Sequence, residues 1–183
     1  MNKINLNIQP IFKTIKIKDK EIKIPRLGLR HHQILKDPGD NEEALKRLMQ
    51  TIHPNLSVAE RDLVSMHLLA FNDRLKSSVV IEGVTYTIDQ IEICQKLTFT
   101  IGNTEFKFKS PKLDDLNATV PNMLASCCVH VKTDGVKQDI PDFNKLPAFT
   151  YKWADDICST IELNANGKVT KSLFSLMELF DND

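Results

Sequence analysis

The chain has 183 residues, of which 42% are hydrophobic and 26% charged, and its 24 basic side chains balance 24 acidic ones. This apolar content excludes a disordered chain, and the length is typical of one domain of ordinary size. No apolar run approaches the ~20 residues of a membrane-spanning helix, and the first residues lack the hydrophobic core of a signal peptide. Four cysteines, two of them adjacent, do not suggest a disulfide framework. We therefore expect a soluble globular protein of a reducing, intracellular compartment.

The first part of the chain, residues 1–26, predicts a basic β-hairpin and carries a net charge of +5. Polar and apolar residues alternate over Phe12–Ile17 and again over Glu21–Ile24, which is the period of a half-buried strand. We expect the isoleucines to be buried, the lysines to face solvent, and Phe12 to lie on the face opposite the lysines. Lysines in this position protect a strand edge from aggregation. Nucleic-acid binding is disfavoured, because the lysine face then carries no aromatic side chain on which a base could stack.

Residues 41–76 predict a helical block. The segment Asn41–Ile52 places apolar residues at the spacing of one helix face. Ser57 and Glu60 form a capping box, which predicts a second helix from there to about Lys76. This second helix is apolar around most of its girth, so it lies in the centre of the core or is covered by a partner.

Residues 78–109 predict a meander of antiparallel strands. Glu82-Gly83 and Gly102-Asn103 each form a two-residue loop between alternating segments, and the glycine of the second loop suits a type II′ turn. The predicted cross-strand pairs are Ile81 with Val84, Val79 with Tyr86, Leu97 with Phe108, Thr98 with Lys107, Phe99 with Phe106, and Thr100 with Glu105.

The rest of the chain, residues 110–183, predicts mixed structure. We expect strands over Ala125–Val131 and Ile157–Leu163, a loop around Phe143, and a helix over Ser172–Phe180. The sequence shows no internal repeat and no low-complexity linker. The expected fold is therefore α+β, with antiparallel hairpins and a meander packed against a few helices in a single domain.

The candidate metal ligands are Cys127, Cys128 and His130, with Cys94 and Cys158 elsewhere in the chain. Cysteine and histidine are the ligands that zinc prefers, and structural zinc sites usually space their paired cysteines two to four residues apart. Adjacent cysteines on a strand instead point to opposite faces. We therefore expect no metal site, and the sequence leaves open any other role of these three neighbouring residues.

The sequence also lacks the motifs of common catalytic sites. It contains no G-x-S-x-G elbow, no phosphate-binding glycine loop and no H-E-x-x-H helix. His67 lies among leucines and is expected to be a core or interface side chain, and the adjacent His31 and His32 have no further ligand at a suitable spacing. A cysteine–histidine nucleophile pair stays open, because its members need not be sequence neighbours. We predict that the protein is not an enzyme and has no catalytic residue and no cofactor.

Several segments, taken in chain order, resemble a known family. The resemblance begins in the basic β-hairpin, continues through the helical block and ends beyond the meander, and it covers most of the chain. The segments that carry it are Ile24-Pro25-Arg26, Glu43–Leu48, Leu56–Asp62, Leu68–Asn72, Tyr86–Asp89, Phe106–Phe108 and Pro111. In this order they resemble small baseplate hub or hub-assembly proteins of T4-like contractile-tailed bacteriophages.

The resemblance implies a non-enzymatic structural or assembly component of the tail baseplate hub. Its partners would be other baseplate and tail proteins, and it would be found in the virion or in the host cytoplasm during assembly. Self-association and permanent residence in the virion are left open. A net charge of −4 over residues 155–183, opposite in sign to that of the hairpin, fits complementary faces in an assembly. The alternatives are a cytoplasmic adaptor and a nucleic-acid-binding protein that uses the basic hairpin.

The expected partner surface includes the C-terminal helix. Its apolar residues exceed one core-facing stripe, and an exposed apolar area beyond a few hundred Å² usually marks an interface. Aromatic side chains are favoured as the anchors of such interfaces. The candidate partner-contact residues are therefore Phe174, Leu179 and Phe180.

Overall fold

A computed structural model describes residues 11–36, 41–111, 115 and 117–181. Helices and several small antiparallel sheets make up this part of the chain, so the predicted α+β class is confirmed. The residues group into two compact units. Unit 1 contains the residues up to 91 together with those from 174 onward, and unit 2 contains residues 92–173. That the whole chain folds as a single domain stays a prediction.

A strand hairpin and a group of helices come first along the chain. They are β1 (Phe12–Ile17), β2 (Lys20–Pro25), α1 (Leu29–Lys36), α2 (Asn41–Ile52) and α3 (Val58–Phe71). Next are β3 (Ser78–Ile81), β4 (Val84–Thr87), β5 (Glu92–Ile93), β6 (Thr98–Ile101) and β7 (Thr104–Phe108). The last are α4 (Val120–Cys127), β8 (Cys128–Thr133), β9 (Val136–Gln138), α5 (Tyr151–Cys158), β10 (Ile161–Ala165), β11 (Lys168–Lys171) and α6 (Leu173–Leu179). The sheets have the strand orders β1-β2, β3-β4, β6-β7-β8-β9 and β11-β10-β5.

The predicted β1–β2 hairpin is confirmed, but two of its side chains lie on the face of the hairpin opposite to the one expected. Ile15 and Ile17 are buried, and because side chains alternate along a strand, Lys13 shares their face. Phe12 shares the solvent face with Lys16, and about half of its surface is exposed. The prediction that Phe12 lies opposite the lysines is therefore wrong. The two buried isoleucines fix the alternation, and it turns Lys13 inward and Phe12 outward.

Helix α3 begins as predicted. The hydroxyl of Ser57 accepts a hydrogen bond from the Glu60 N–H at 3.3 Å, and the Glu60 carboxylate accepts one from the Ser57 N–H at 2.8 Å. Buried residues lie on all sides of the helix between Ala59 and Leu69. Its surplus of apolar residues is thus covered within the chain, which makes α3 the central helix of unit 1.

Helix α3 ends at Phe71, so the prediction that it extends to about Lys76 is wrong. Asp73 adopts a left-handed conformation with φ of 58° and redirects the chain. The Arg74 N–H then donates to the Leu69 carbonyl at 2.9 Å, which closes the helix end in the manner of a Schellman motif. Glycine is the usual residue at this position, and because aspartate takes its place, the sequence carries no clear stop signal.

The hairpins after α3 have the predicted registers. The pairs Ile81 with Val84, Val79 with Tyr86, Phe99 with Phe106, Thr98 with Lys107, and Thr100 with Glu105 are all confirmed. Gly102 has a φ of 55°, as the first residue of a type II′ turn requires. The strands do not form one continuous meander, however. β3 and β4 form a two-stranded sheet in unit 1, whereas β6 and β7 belong to the four-stranded sheet of unit 2.

The core of unit 2 is an aromatic cluster around Trp153. The Trp153 ring stacks on Phe99 with centroids 4.8 Å apart, and its centroid lies 5.1 Å from that of Phe106. Phe108 and Phe143 complete the cluster, with centroids 6.0 Å apart. No pattern in the sequence had singled out Trp153, although it is the only tryptophan in the chain.

Two predicted strands of unit 2 are wrong in their first halves. The first residues of the predicted strand Ala125–Val131 are helical as far as Cys127. They belong to helix α4, in which Pro121 occupies the first turn, a position that favours proline. The predicted strand Ile157–Leu163 is helical as far as Cys158 and extended from Ile161. In α5, Trp153, Ala154 and Ile157 form one buried face. This helical spacing was obscured in the sequence by the β-branched residues that follow the helix. The C-terminal helix, α6, is confirmed.

Candidate protein-contact site

The three predicted partner-contact residues lie in different environments on and just after α6. Phe174 has 52% of its surface exposed, Leu179 is half-buried and Phe180 is completely buried. The Phe180 carbonyl accepts a hydrogen bond from the Lys76 N–H at 2.8 Å, which fixes the end of the helix within unit 1. Of the three, Phe174 is the residue that presents an aromatic surface to solvent. A contact with a partner at these positions stays a prediction.

The candidate metal ligands are not gathered into one site. Cys127 and Cys128 are buried where α4 passes into β8, and the His130 Nε2 lies 3.4 Å from the Glu105 carboxylate. In the part of the chain that the structure describes, no three histidine, cysteine, aspartate or glutamate side chains are placed to hold a metal ion. His31 accepts a hydrogen bond at Nδ1 from the Gly28 N–H at 3.2 Å.

Desolvation by the surrounding protein makes the four thiols poor nucleophiles, although Cys158 is partly exposed to solvent. This desolvation raises the pKa of Cys127 to about 11, and it raises the pKa values of Cys94, Cys128 and Cys158 above their usual range. Because the thiolate is the reactive form, these side chains remain protonated near neutral pH. The structure therefore gives no support to a cysteine–histidine nucleophile pair.

A polar cluster that the sequence did not predict lies beside β1. The Lys13 Nζ is 3.3 Å from the Asp89 Oδ1 and 3.5 Å from the His67 Nδ1, and His67 Nδ1 lies 3.6 Å from the same Asp89 oxygen. These side chains line an open groove of about 250 Å³, together with Leu63 and Ile91. The signal that could have found the cluster is the position of Lys13 on the isoleucine face of β1.

His67 is buried, as predicted, and it is uncharged at neutral pH. Burial lowers its pKa to about 4, the positive charge of Lys13 acts in the same direction, and Asp89 opposes the shift. Near neutral pH, the imidazole therefore contributes an uncharged surface to the groove beside Lys13 and Asp89.

The burial of His67 predicts a loss of stability in weak acid. Since its pKa falls from about 6.5 in the unfolded chain to about 4 in the folded one, the unfolded chain binds the proton more tightly. The free energy of unfolding contributed by His67 is complete above about pH 6.5 and should fall by about 2 kcal/mol on acidification from pH 7.5 to pH 5. Urea unfolding at several pH values measures this loss.

His67→Leu is the control variant for this measurement, because it fills the same position without a titrating group. Its unfolding free energy should change little over the same pH interval. Equal pH dependence of the variant and the wild-type protein would contradict the prediction.

None of the helices in the described ranges has the length and apolar character that crossing a bilayer requires. The fold and the site together define an α+β protein with an exposed aromatic residue on its last helix and a lysine-rich hairpin. Comparison with known proteins identifies the family to which the chain belongs. The family model of the phage baseplate hub distal subunit matches residues 24–180. The chain therefore belongs to the phage baseplate hub distal subunit family.

A curated relative agrees with this assignment. The chain is 41% identical, over 181 residues, to the baseplate hub assembly protein gp28 of Enterobacteria phage T4. The match covers 97% of this chain and the full length of the relative. The predicted resemblance to a baseplate hub or hub-assembly protein is thereby confirmed. No solved structure gives a significant match.

Proposed function

We propose that this chain is a structural or assembly component of the baseplate hub that acts by binding other baseplate proteins and catalyses no reaction. The observation that carries the proposal is the similarity to the T4 hub assembly protein along the full length of that relative. The high pKa values of the buried thiols also favour a non-catalytic role.

We assign a partner contact to the exposed face of α6. Phe174 is a large aromatic side chain with half of its surface in solvent, and such residues are frequent anchors of protein interfaces. Leu179 and Phe180 belong to the same segment, but Leu179 is half-buried and Phe180 completely buried, so Phe174 is the main anchor that we assign. The protein would meet its partners in the host cytoplasm during assembly and remain with the tail in the virion.

The variant Phe174→Ala tests this contact. We expect it to weaken incorporation into baseplates by more than about 1 kcal/mol, or roughly fivefold, while thermal unfolding of the purified protein changes little. The measurement is a competition in which infected cells produce wild-type and variant chains in equal amounts. Mass spectrometry of purified baseplates then gives the ratio of the two chains.

Phe149→Ala is the matched control, because Phe149 is also an exposed phenylalanine, with 52% of its surface in solvent, and lies in unit 2. It should enter baseplates as the wild-type chain does. Equal incorporation of both variants would contradict the contact at Phe174. Mass spectrometry of whole virions beside the infected-cell lysate tests the broader proposal: a chain found in neither baseplates nor any assembly intermediate would overturn it.

One observation favours a second candidate function, nucleic-acid binding by the β1–β2 hairpin. Phe12 is exposed on the same face as Lys16 and Lys23, which places an aromatic side chain among basic ones. Against this candidate, Glu21 shares that face and the sequence pI is 7.0. Binding to single-stranded DNA that weakens steeply with added salt would identify this function.

A further inference from the structure

Among the described residues, strand β1 has an edge whose backbone groups pair with no other strand. It pairs with β2 on one side, and no other strand of the described ranges pairs with it. The Arg26 N–H donates to the Ile11 carbonyl at 2.9 Å, so this pair belongs to the hydrogen-bonded set. Because hydrogen-bonded and non-hydrogen-bonded pairs alternate in an antiparallel ladder, Thr14 and Lys16 point their N–H and C=O groups away from β2. These groups have the arrangement that an added strand would bind.

The groove beside Lys13 runs along this edge. It is lined by the five consecutive residues 13–17 of β1. Since neighbouring side chains of a strand point to opposite faces, a groove that contacts all five must follow the strand edge and its backbone. Leu63 and His67 of α3 line it as well, and Asp89 and Ile91 complete it. At about 250 Å³ the groove is smaller than the usual small-molecule cleft of ~300–1,000 Å³, but it can receive the side chains of an extended segment.

The hairpin is held firmly enough to serve as a template. The Lys20 Nζ lies 2.7 Å from the Glu60 carboxylate, which also caps α3. At the other end of the hairpin, the Asn72 side chain accepts a hydrogen bond from the Leu27 N–H at 2.7 Å and donates one to the Pro25 carbonyl at 3.3 Å. Both ends of the hairpin are thus tied to α3, and the edge of β1 lies at a fixed position beside the groove.

Charge determines which strand fits the edge. Residues 12–25 contain five lysines and two acidic residues, so a second copy of the hairpin would bring like charges together. Lys16 is exposed on the solvent face of β1, and an acidic residue directly opposite it in an added strand would be stabilising. On the groove face, Ile15, Ile17 and Leu63 can contact an apolar side chain of the added strand, beside the polar side chains of Lys13, His67 and Asp89. The complementary segment therefore alternates acidic and apolar residues.

We propose that the free edge of β1 binds an extended segment of another baseplate protein, in which acidic side chains opposite Lys16 alternate with apolar side chains that enter the groove. The added strand lies beside Thr14 and Lys16 and extends the hairpin to a three-stranded sheet, a mode of recognition known as β-augmentation. This inference rests on the proposed function, because it assumes that the partners are proteins of the hub. It adds the surface of this chain that they bind and the residue types that the bound segment requires.

The test uses the purified full-length chain and a synthetic fluorescent peptide of alternating valine and glutamate. We expect the peptide to bind. We also expect the Thr14 and Lys16 amides to exchange rapidly with solvent in the free protein and to become protected when the peptide is bound. Thr14→Pro removes an outward-pointing N–H without removing a bond to β2, since edge strands tolerate proline, and should weaken peptide binding at least about tenfold. Fluorescence anisotropy and amide exchange are the two measurements.

Lys23→Pro is the matched control. Lys23 lies directly across from Thr14 in the hairpin, and its N–H points to the opposite edge, so peptide binding should be unchanged. Lys16→Glu keeps the backbone intact and should reverse the preference, so that a valine–lysine peptide binds better than the valine–glutamate peptide. This second variant keeps the test valid if Thr14→Pro fails to fold.

Three results would overturn the proposal: no binding of the acidic peptide, equal binding by Thr14→Pro and Lys23→Pro, or Thr14 and Lys16 amides that are already protected in the free chain. In the third case, amide protection that rises with protein concentration would show that a second copy of the chain pairs with the edge. Protection that does not depend on concentration would show that another part of the same chain pairs with it. The failure of the proposed function gives a different result, because it is measured by incorporation into baseplates and does not depend on the peptide.

Discussion

Replacement of Trp153 by alanine is expected to lower the free energy of unfolding by about 3–5 kcal/mol, the usual cost of truncating a buried aromatic residue. The Trp153 ring stacks on Phe99 and also lies edge-on to Phe108, with centroids 6.0 Å apart, so its loss leaves a cavity at the centre of the unit 2 core. For a chain of this length the melting temperature should fall by roughly 6–20 °C. Circular dichroism measures the change, because the variant has no tryptophan fluorescence.

Phe149→Ala is the control for this loss. Phe149 contacts the edge of the Trp153 ring, with centroids 6.3 Å apart, but half of its surface is exposed. Its removal should cost about 1 kcal/mol or less, the range expected for one aromatic pair without a deep cavity. A Trp153→Ala protein that melts close to the wild-type temperature would show that the aromatic cluster is not the core of unit 2.

Phe180→Ala should also cost about 3–5 kcal/mol of unfolding free energy, because none of the Phe180 surface is exposed. The damage should appear first at α6, whose end is joined to the rest of unit 1 by the bond from the Lys76 N–H to the Phe180 carbonyl. Thermal unfolding and limited proteolysis near the C-terminal end measure it. Any loss of incorporation into baseplates should then follow the loss of folded protein.

Phe174→Ala and Leu179→Ala are the comparison variants in the same helix. The first removes an exposed ring and the second a half-buried side chain, so both should remain more stable than Phe180→Ala. The opposite pattern would be informative as well. If Phe180→Ala melts as the wild type does and still fails to enter baseplates, then Phe180 itself contacts the partner.

The local elements of this protein were predictable from its sequence. Strand alternation and two-residue turns such as Gly102-Asn103 depend on neighbouring residues, and the registers that they predict are confirmed. The start of α3 was equally clear, because Ser57 and Glu60 are only three residues apart. Its end was not, since Asp73 adopts a conformation that normally requires glycine.

The long-range arrangement could not be derived in the same way. β5 pairs with β10, with Ile93 opposite Ile161, and no pattern in either segment indicates that the two strands are neighbours. The aromatic cluster around Trp153 likewise gathers side chains from separate parts of unit 2. Such contacts depend on the packing of whole elements, so the division of the predicted meander between two units was not visible in the sequence.

The candidate sites show the same limit. Lys13, His67 and Asp89 meet beside β1 although 54 residues separate the first two. Their meeting depends on the inward position of Lys13, which we predicted to face solvent although alternation along the strand places it on the face of Ile15 and Ile17. Phe174, Leu179 and Phe180 lie on or just after α6, but sequence spacing alone could not distinguish the exposed ring of Phe174 from the buried ring of Phe180.

The order of the two units along the chain has a consequence for biosynthesis. All of unit 2 is translated between the two parts of unit 1, and the buried residues Leu176 and Phe180 of unit 1 follow it. During translation, unit 2 can therefore fold while unit 1 still lacks its last helix. The exposed ring of Phe174 is presented on a finished surface only after the ribosome has released these residues. A chain from which α6 is removed would therefore lack both that surface and two side chains of the unit 1 core.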